Sequence, residues 1–553
     1  MRTEDAITDF HGARRRAAAL LLALVALGAG LLAAGRAEAR QAGVGNDGRP
    51  NILVVMTDDM ALTDVKQMPK VRKLLARRGT SFANAINSFP LCCPSRATLL
   101  TGQYAHNHQV IGNFFPYGWY GMGRRNNILP AWLDKAGYET GFTGKWLNGY
   151  GSLDGKGEIP AGWDEWHGLL DLSAYDYHNF IMNRNGRLRA WGDAEFARKL
   201  VEFSNIQVTA PDMKTPAMIY GKLFEVMGNP PYDYWGQEDP KDYTNDVTGR
   251  IATKLVRRQR GSKKPFFVWW APAAPHREDV ATTLMDRPGP DPGPPERYEE
   301  WSQGLEMPRT PSFNEADLTD KPSTLTSKAP VMSQGQIDQL ELDYQGRIGS
   351  LRSVDDGVGK LVKALRRTGQ LRNTMIVFMS DNGWLHGEHR VTGDKFLPYE
   401  ESLKSPLILR GPGVPKGRTI KGQVANIDLA PTIVDLAKAR PGRTMDGVSL
   451  MPAIKRPKRL PNRAFEIEAP RPLFSGPIPN NAWDRPYKGV RTDRYTYVLW
   501  PETSEEELYD RSTDPFQLQN LAADPAFAAI KARLAAKLVT LDGCRGRSCL
   551  VKP

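Results

Sequence analysis

Two short acidic clusters carry the first chemical signal in this chain. Asp58-Asp59 closes an apolar run over 51–56, and Ser380-Asp381-Asn382-Gly383 closes another over 375–379. A third apolar run, 266–271, continues through Pro272, Ala273, Ala274 and Pro275 to His276. Carboxylates and an amide carbonyl, with no thiolate or imidazole cluster beside them, are the donor set of a hard cation, Ca²⁺ or Mg²⁺, rather than zinc. Taken alone, either pair reads better as turn chemistry or a helix N-cap. Two such pairs at two strand ends favour the metal. The neighbouring thiols Cys92 and Cys93 are a second signal, because adjacent cysteines rarely pair with each other and ask for another explanation.

Groups so far apart in sequence need a scaffold that brings strand ends together. The three apolar runs read as buried strands. Helical patterns at 68–78, 129–136, 244–258 and 336–368 lie between them. Alternation of this kind implies an α/β fold: a largely parallel sheet with helices on both faces, whose ligands bind outside the carboxyl ends of the strands. The stretch 286–327, rich in Pro, Glu, Asp and Thr, reads as a long surface excursion. Beyond 446–450 the texture changes. A basic, Pro-containing linker at 455–463 leads to an alternating stretch at 489–500, with an antiparallel hairpin pattern, and to a helix at 525–541. A small α+β domain is expected over 458–553.

The segment Cys92-Cys93-Pro94-Ser95-Arg96, followed by Leu100-Thr101-Gly102, resembles the signature of type I sulfatases. Tyr104-Ala105-His106-Asn107-His108, Gly144-Lys145-Trp146 and Tyr177-His178-Asn179-Phe180 are similar to the N-acetylglucosamine-6-sulfatase branch, and the stretch from Glu507 to Ala522 is similar to the closing segment of family members. The resemblance implies an alkaline-phosphatase-like fold over 40–457 and hydrolysis of sulfate esters, with a sulfated carbohydrate such as N-acetylglucosamine 6-sulfate as substrate. It implies that Cys92 is oxidised to formylglycine by a formylglycine-generating enzyme, which reads Pro94 and Arg96, while Cys93 is a bystander. The hydrated aldehyde would attack sulfur, and its second hydroxyl would later expel sulfate. Asp58, Asp59, Asp381 and Asn382, with residue 92 itself, would hold Ca²⁺ (or Mg²⁺), and Arg96, Lys145, His276 and Lys395 would bind and polarise the sulfate. One departure stands out: many relatives place histidine where this chain has Leu147. His386 and His389 are candidates for the missing proton acceptor, or simply loop residues; His106 and His108 either line the pocket or are structural.

The chain has 553 residues, 41% apolar and 25% charged, which excludes wholesale disorder and a polytopic membrane protein. Its surplus of +12 favours anionic partners but is thin over this length, so a solvated basic surface is the plainer reading and no nucleic-acid role is expected. Arg14, Arg15 and Arg16 precede a charge-free run over 17–35, and Ala37-Glu38-Ala39 offers a cleavage site. Residues 1–39 therefore read as an export signal, with a retained membrane anchor as the alternative, and the protein is expected to be secreted or to lie in the cell envelope. Cys544 and Cys549 either close a small disulfide loop, as suits an oxidising compartment, or stay as thiols. Two further readings remain open: a phosphate or phosphonate ester hydrolase on the same fold, and a glycan-binding protein whose Cys92 stays a thiol.

Overall fold

The computed structural model describes residues 48–113, 116–151, 157–171, 173–192, 242–278, 290–327, 329–470 and 485–553. The expected export signal lies outside them. Sixteen strands are described: β1 Asn51–Thr57, β2 Thr80–Phe82, β3 Ala85–Ile86, β4 Glu139–Lys145, β5 Glu165–Leu169, β6 Phe180–Arg184, β7 Arg187–Trp191, β8 Phe266–Ala271, β9 Thr374–Ser380, β10 Leu407–Arg410, β11 Arg418–Ile420, β12 Val424–Ala425, β13 Phe465–Ala469, β14 Tyr487–Arg491, β15 Tyr495–Trp500 and β16 Glu505–Asp510. Ten of them form one sheet in the order β11-β2-β10-β9-β1-β8-β4-β5-β6-β7. Its centre, β9-β1-β8-β4-β5, is parallel throughout, and antiparallel strands flank it on both sides.

The central strand shows why the run was apolar at every position. Ile52, Val54 and Met56 face one core with Leu99, Trp132 and Leu429, from helices Cys92–Thr101, Leu129–Lys135 and Leu429–Ala437. Leu53 and Val55 face the other, with Val71, Leu255 and Leu351, from Pro69–Leu74, Thr244–Arg258 and Gln334–Arg367. Both sheet faces are thus covered, as a buried parallel strand requires. The helix expected over 68–78 is shorter, ending at Leu74 with a separate 3-10 turn at Ala76–Arg78. No described helix is long and apolar enough to cross a membrane.

A second sheet, β13-β14-β15-β16, is antiparallel, and helix Ala528–Leu541 packs on it. Its core is continuous with the first unit: Phe89, Tyr104, Leu385 and Tyr399 share a cluster with Phe465, Val490 and Leu538. Cys544 and Cys549 form a disulfide. The 286–327 stretch is more than a surface excursion in its described part. Ser312 and Glu315 are buried, and Phe313 bridges to Glu388, so it covers the loop that follows β9.

Candidate active site

Register places the acidic pairs side by side. β1 and β9 run parallel with Thr57 opposite Ser380, so the residues that follow, Asp58-Asp59 and Asp381-Asn382, emerge at one level. Two more neighbours in the sheet contribute from the same end. Lys145 is the last residue of β4, and His276 follows β8 after a short loop tied back by Asp58 N–H donating to the Ala274 carbonyl at 3.1 Å. Cys92 opens the wholly buried helix Cys92–Thr101, which ends at Gly102, a residue with φ of 69°. Lys395 comes from the loop between β9 and β10.

These groups form one buried cluster. Asn382 Nδ2 donates to Asp59 Oδ1 at 2.8 Å, and the Asp59 and Asn382 N–H groups donate to Asp381 Oδ1 at 3.1 and 3.0 Å. Arg96 Nε donates to Asp381 Oδ2 at 2.8 Å, its NH1 donates to the Lys145 carbonyl at 2.6 Å, and its NH2 stands 3.8 Å from Asp58 Oδ2. Lys145 Nζ donates to Asp58 Oδ2 at 2.5 Å, Lys395 Nζ donates to Asp59 Oδ2, and Cys92 Sγ lies 3.6 Å from Asp59 Oδ1. His276 Nε2 is 3.5 Å from both Lys395 Nζ and Asp59 Oδ2. Its Nδ1 is 2.8 Å from the Arg277 carbonyl, which can only accept, so Nδ1 carries a hydrogen.

Burial would raise the Asp59 carboxyl, but Lys395, His276 and Lys145 hold it well below the usual carboxylate range. Asp381 goes the other way: burial, reinforced by Asp58, pushes it up to about 6 in spite of Arg96. Burial opposes the charge on Lys145 and Lys395, yet Asp58 beside the first and Asp59 beside the second raise both above the ordinary lysine value, so each stays protonated. Buried carboxylates crowded this closely need positive charge. Asp58, Asp59, Cys92 and His276 offer ligand atoms within 4.8 Å of one another, and Asp58 Oδ1 and Asn382 Oδ1 are buried without a hydrogen-bond partner. This oxygen-dominated donor set fits a hard dication.

Every residue expected at the site from its strand-end or motif position therefore meets the others here. The proton-acceptor candidates do not. His386 lies 3.6 Å from Asp64 and His389 Nδ1 2.6 Å from Glu315 Oε2, while Leu147 is packed in the apolar core. His108 is a satisfied structural residue between Thr98 Oγ1 and the Val110 N–H, and His106 pairs with Glu468. Two contributors escaped the sequence reading. Arg347, buried in the middle of helix Gln334–Arg367, donates to the backbone carbonyls of Asp59 and Pro275 and lies over the Trp384 ring. Tyr175 sets its ring 4.5 Å from Lys145 Nζ and 4.1 Å from the His276 ring. Proximity to the quoted Tyr177-His178-Asn179-Phe180 motif was the available signal for Tyr175; Arg347 gave none.

Comparison with known proteins gives the family. A sequence model of the family described as Sulfatase matches residues 50–439, and one described as N-sulphoglucosamine sulphohydrolase, C-terminal, matches 387–543. The chain is 30% identical to human N-acetylglucosamine-6-sulfatase over 537 residues, which cover 91% of this chain and 86% of that protein. It is 29% identical to an arylsulfatase of Volvox carteri, over 96% of this chain and 79% of the relative. Among solved structures, BT4656 in complex with its substrate D-glucosamine-2-N,6-O-disulfate has a TM-score of 0.68 at 20% identity, over 90% of this chain and 98% of that one. The phosphonate monoester hydrolase of Agrobacterium radiobacter has a TM-score of 0.60 at 21% identity, over 90% and 96%. The chain belongs to the sulfatase family, is a sulfuric ester hydrolase, and is similar to the N-acetylglucosamine-6-sulfatases.

Proposed function

We propose that this protein removes sulfate from sulfated carbohydrate, with N-acetylglucosamine 6-sulfate as the leading substrate class, through formylglycine made from Cys92 and a bound Ca²⁺ (or Mg²⁺). The observation that carries the reading is the single buried cluster uniting Asp58, Asp59, Cys92, Arg96, Lys145, His276, Asp381, Asn382 and Lys395. Substrate class rests on the similarity to N-acetylglucosamine-6-sulfatases and on the disulfated glucosamine bound by the structural neighbour. We assign the ion to Asp58, Asp59, Asp381 and Asn382, with residue 92 beside it; when bound, it would neutralise charge on sulfate oxygens and acidify a coordinated hydroxyl. Formylglycine, when hydrated, would supply a geminal diol as nucleophile in place of a thiol.

The remaining work falls to this chain's own side chains. Lys145 and Lys395, kept protonated by Asp58 and Asp59, present two fixed cations to an incoming tetrahedral anion. Arg96 fixes Asp381 and holds the end of β4 through the Lys145 carbonyl, so the lysine and the acids keep their spacing. His276 Nε2, 3.5 Å from Lys395 Nζ and from Asp59 Oδ2, would in its protonated form donate a proton to the leaving oxygen. Residue 92 lies in the first turn of a helix, where the dipole favours developing negative charge.

Residues 1–39 are proposed as a signal peptide, 40–457 as the catalytic domain and 458–553 as the C-terminal domain. Secretion or residence in the cell envelope follows from that signal and is supported by similarity to proteins named extracellular sulfatases. The required partner is a formylglycine-generating enzyme in the same host. A second reading, phosphate or phosphonate ester hydrolysis, draws on the shared fold of the phosphonate monoester hydrolase.

Two measurements test this. Intact mass of the Cys92 peptide from a host containing the modifying enzyme should show an aldehyde that reacts with hydrazides. Turnover of matched aryl sulfate and aryl phosphate should favour sulfate. A free thiol in fully active protein, or a large phosphate preference, refutes the proposal.

A further inference from the structure

Tyr175 closes the short 3-10 turn Ser173–Tyr175 between β5 and β6, and hydrogen bonds fix the backbone of that turn. The Ser173 hydroxyl donates to the Leu170 carbonyl at 3.0 Å and accepts the Ile181 N–H at 3.0 Å. The Ala174 N–H donates to the Leu170 carbonyl at 2.9 Å, and Thr244 Oγ1 donates to the Asp176 carbonyl at 3.0 Å. The buried side chain is held at its far end as well: Asn148 Nδ2 donates to the phenolic oxygen. Asn148 is itself anchored, because its carbonyl accepts the Trp119 N–H at 2.8 Å.

A ring anchored at both ends is a rigid wall, and it stands against two groups of the active site. Its centroid is 4.5 Å from Lys145 Nζ and 4.1 Å from the centroid of the His276 ring, to which it is tilted by 31°. We propose that Tyr175 is a positioning residue of sulfate ester hydrolysis: its ring, locked by Asn148, sets the Lys145 ammonium and the His276 imidazole at the places from which they meet the sulfate group. The role rests on the assignment of Lys145 and His276 to the sulfate under the proposed function.

The chemistry of the ring suits that task. An ammonium has three hydrogens to donate, and Asp58 Oδ2 takes one from Lys145. The face of an aromatic ring attracts the cation through its quadrupole without taking a second hydrogen and without bringing a negative charge. A carboxylate in the same place would hold the lysine as firmly but would repel the sulfate. Burial, reinforced by Asp171, raises the phenol well above the ordinary tyrosine value, so Tyr175 stays neutral beside the anion. His276 has its Nδ1 edge fixed by the Arg277 carbonyl and its Nε2 edge beside Lys395 and Asp59. The Tyr175 ring covers one face of the imidazole and so limits its rotation about the Cβ–Cγ bond.

The test uses full-length variants from a host containing the modifying enzyme, matched for aldehyde content by hydrazide labelling. Tyr175→Phe keeps the ring and should lose less than ~5-fold in kcat/KM on an aryl sulfate, whereas Tyr175→Leu should lose at least ~30-fold. Competitive inhibition by inorganic sulfate does not depend on how much of the protein is active. Its Ki should rise ~10-fold in Tyr175→Leu and less than ~2-fold in Tyr175→Phe. Tyr175→Met, nearer to tyrosine in volume, should match the leucine variant and replaces it should leucine prevent folding. An unchanged Ki in the leucine and methionine variants would make the ring a structural filler and overturn the proposal. A phenylalanine variant as impaired as they are would also overturn it, since the hydroxyl would then carry the role. Lys145→Ala is the control for the underlying assignment: if it keeps wild-type turnover and Ki, the positioning role falls together with the lysine's own. Loss in Lys145→Ala with no change in Tyr175→Leu sinks the positioning role alone.

Discussion

At the scale of single residues, the environment of Cys92 argues against the thiol itself as nucleophile. Burial, with the Asp58 charge added, raises its pKa well above that of an ordinary cysteine, so the neutral, weakly reactive form prevails at pH 7. Reactivity at position 92 must come from chemistry done to the residue. Cys92→Ala and Cys92→Ser should each lower kcat/KM on an aryl sulfate by at least ~10³-fold with little change in Tm. Cys93→Ala, which removes a buried sulfur held near the Asn148 carbonyl, should cost roughly 1 kcal/mol of stability and keep activity within about tenfold. Equal losses in kcat/KM from Cys92→Ala and Cys93→Ala would overturn the assignment. The pattern that made this site readable was local: an apolar run ended by two acids, or a motif around a cysteine. Arg347 lacks such a context. In the middle of a 34-residue helix rich in charge it reads as a solvated side chain, and only tertiary packing carries it to the Asp59 carbonyl.

At the scale of elements, parallel strand ends do the positioning, and β4 shows how tightly. Gly144 has φ of 117°, and a Cβ there would sit 1.9 Å from the Ala271 carbonyl oxygen of β8. Only glycine lets β4 approach β8 so closely one residue before Lys145. Gly144→Ala should therefore push the strands apart, lower Tm by several degrees and reduce kcat/KM by ~10²-fold, because Lys145 loses its spacing to Asp58. A variant with unchanged kinetics would show that the lysine's position tolerates strand movement. The parallel centre of the sheet was legible because its strands are buried on both faces and apolar throughout. The antiparallel edge β6-β7 was not anticipated, although its turn was visible: Asn185 and Gly186 have φ of 52° and 86°, the primed-turn geometry that an Asn-Gly pair adopts between two strands. Strands this short, half polar and placed beside a functional motif gave too little periodicity to stand out.

At the scale of the whole molecule, one apolar cluster joins the C-terminal sheet to segments of the first unit outside its ten-stranded sheet, among them Phe89, Tyr104, Leu385 and Tyr399. A buried ion pair crosses the same boundary. Arg491 of β14 donates to both oxygens of Glu400 at 2.7 Å, with Lys404 at 2.6 Å and Arg511 at 3.6 Å from the same carboxylate. Burial would raise the Glu400 carboxyl, but Arg491, Arg511 and Lys404 draw it well below the usual value of 4.5. A group whose pKa is depressed in the folded state stabilises the fold above its unfolded value and loses that contribution as pH falls through the folded one. Stability tied to Glu400 is thus fully present at neutral pH and declines below about pH 4.5. Glu400→Gln leaves the Arg491 guanidinium buried without its counter-charge, which should cost about 3–5 kcal/mol at pH 7. In thermal unfolding followed from neutral to acidic pH, the wild-type and Glu400→Gln curves should lie far apart at pH 7 and converge in acid, because protonation removes from the wild type the charge that the substitution has already removed. A gap that stays constant with pH would mean that the carboxylate contributes packing and hydrogen bonds alone. The C-terminal sheet would then be held to the first unit by the apolar cluster they share, without electrostatic help.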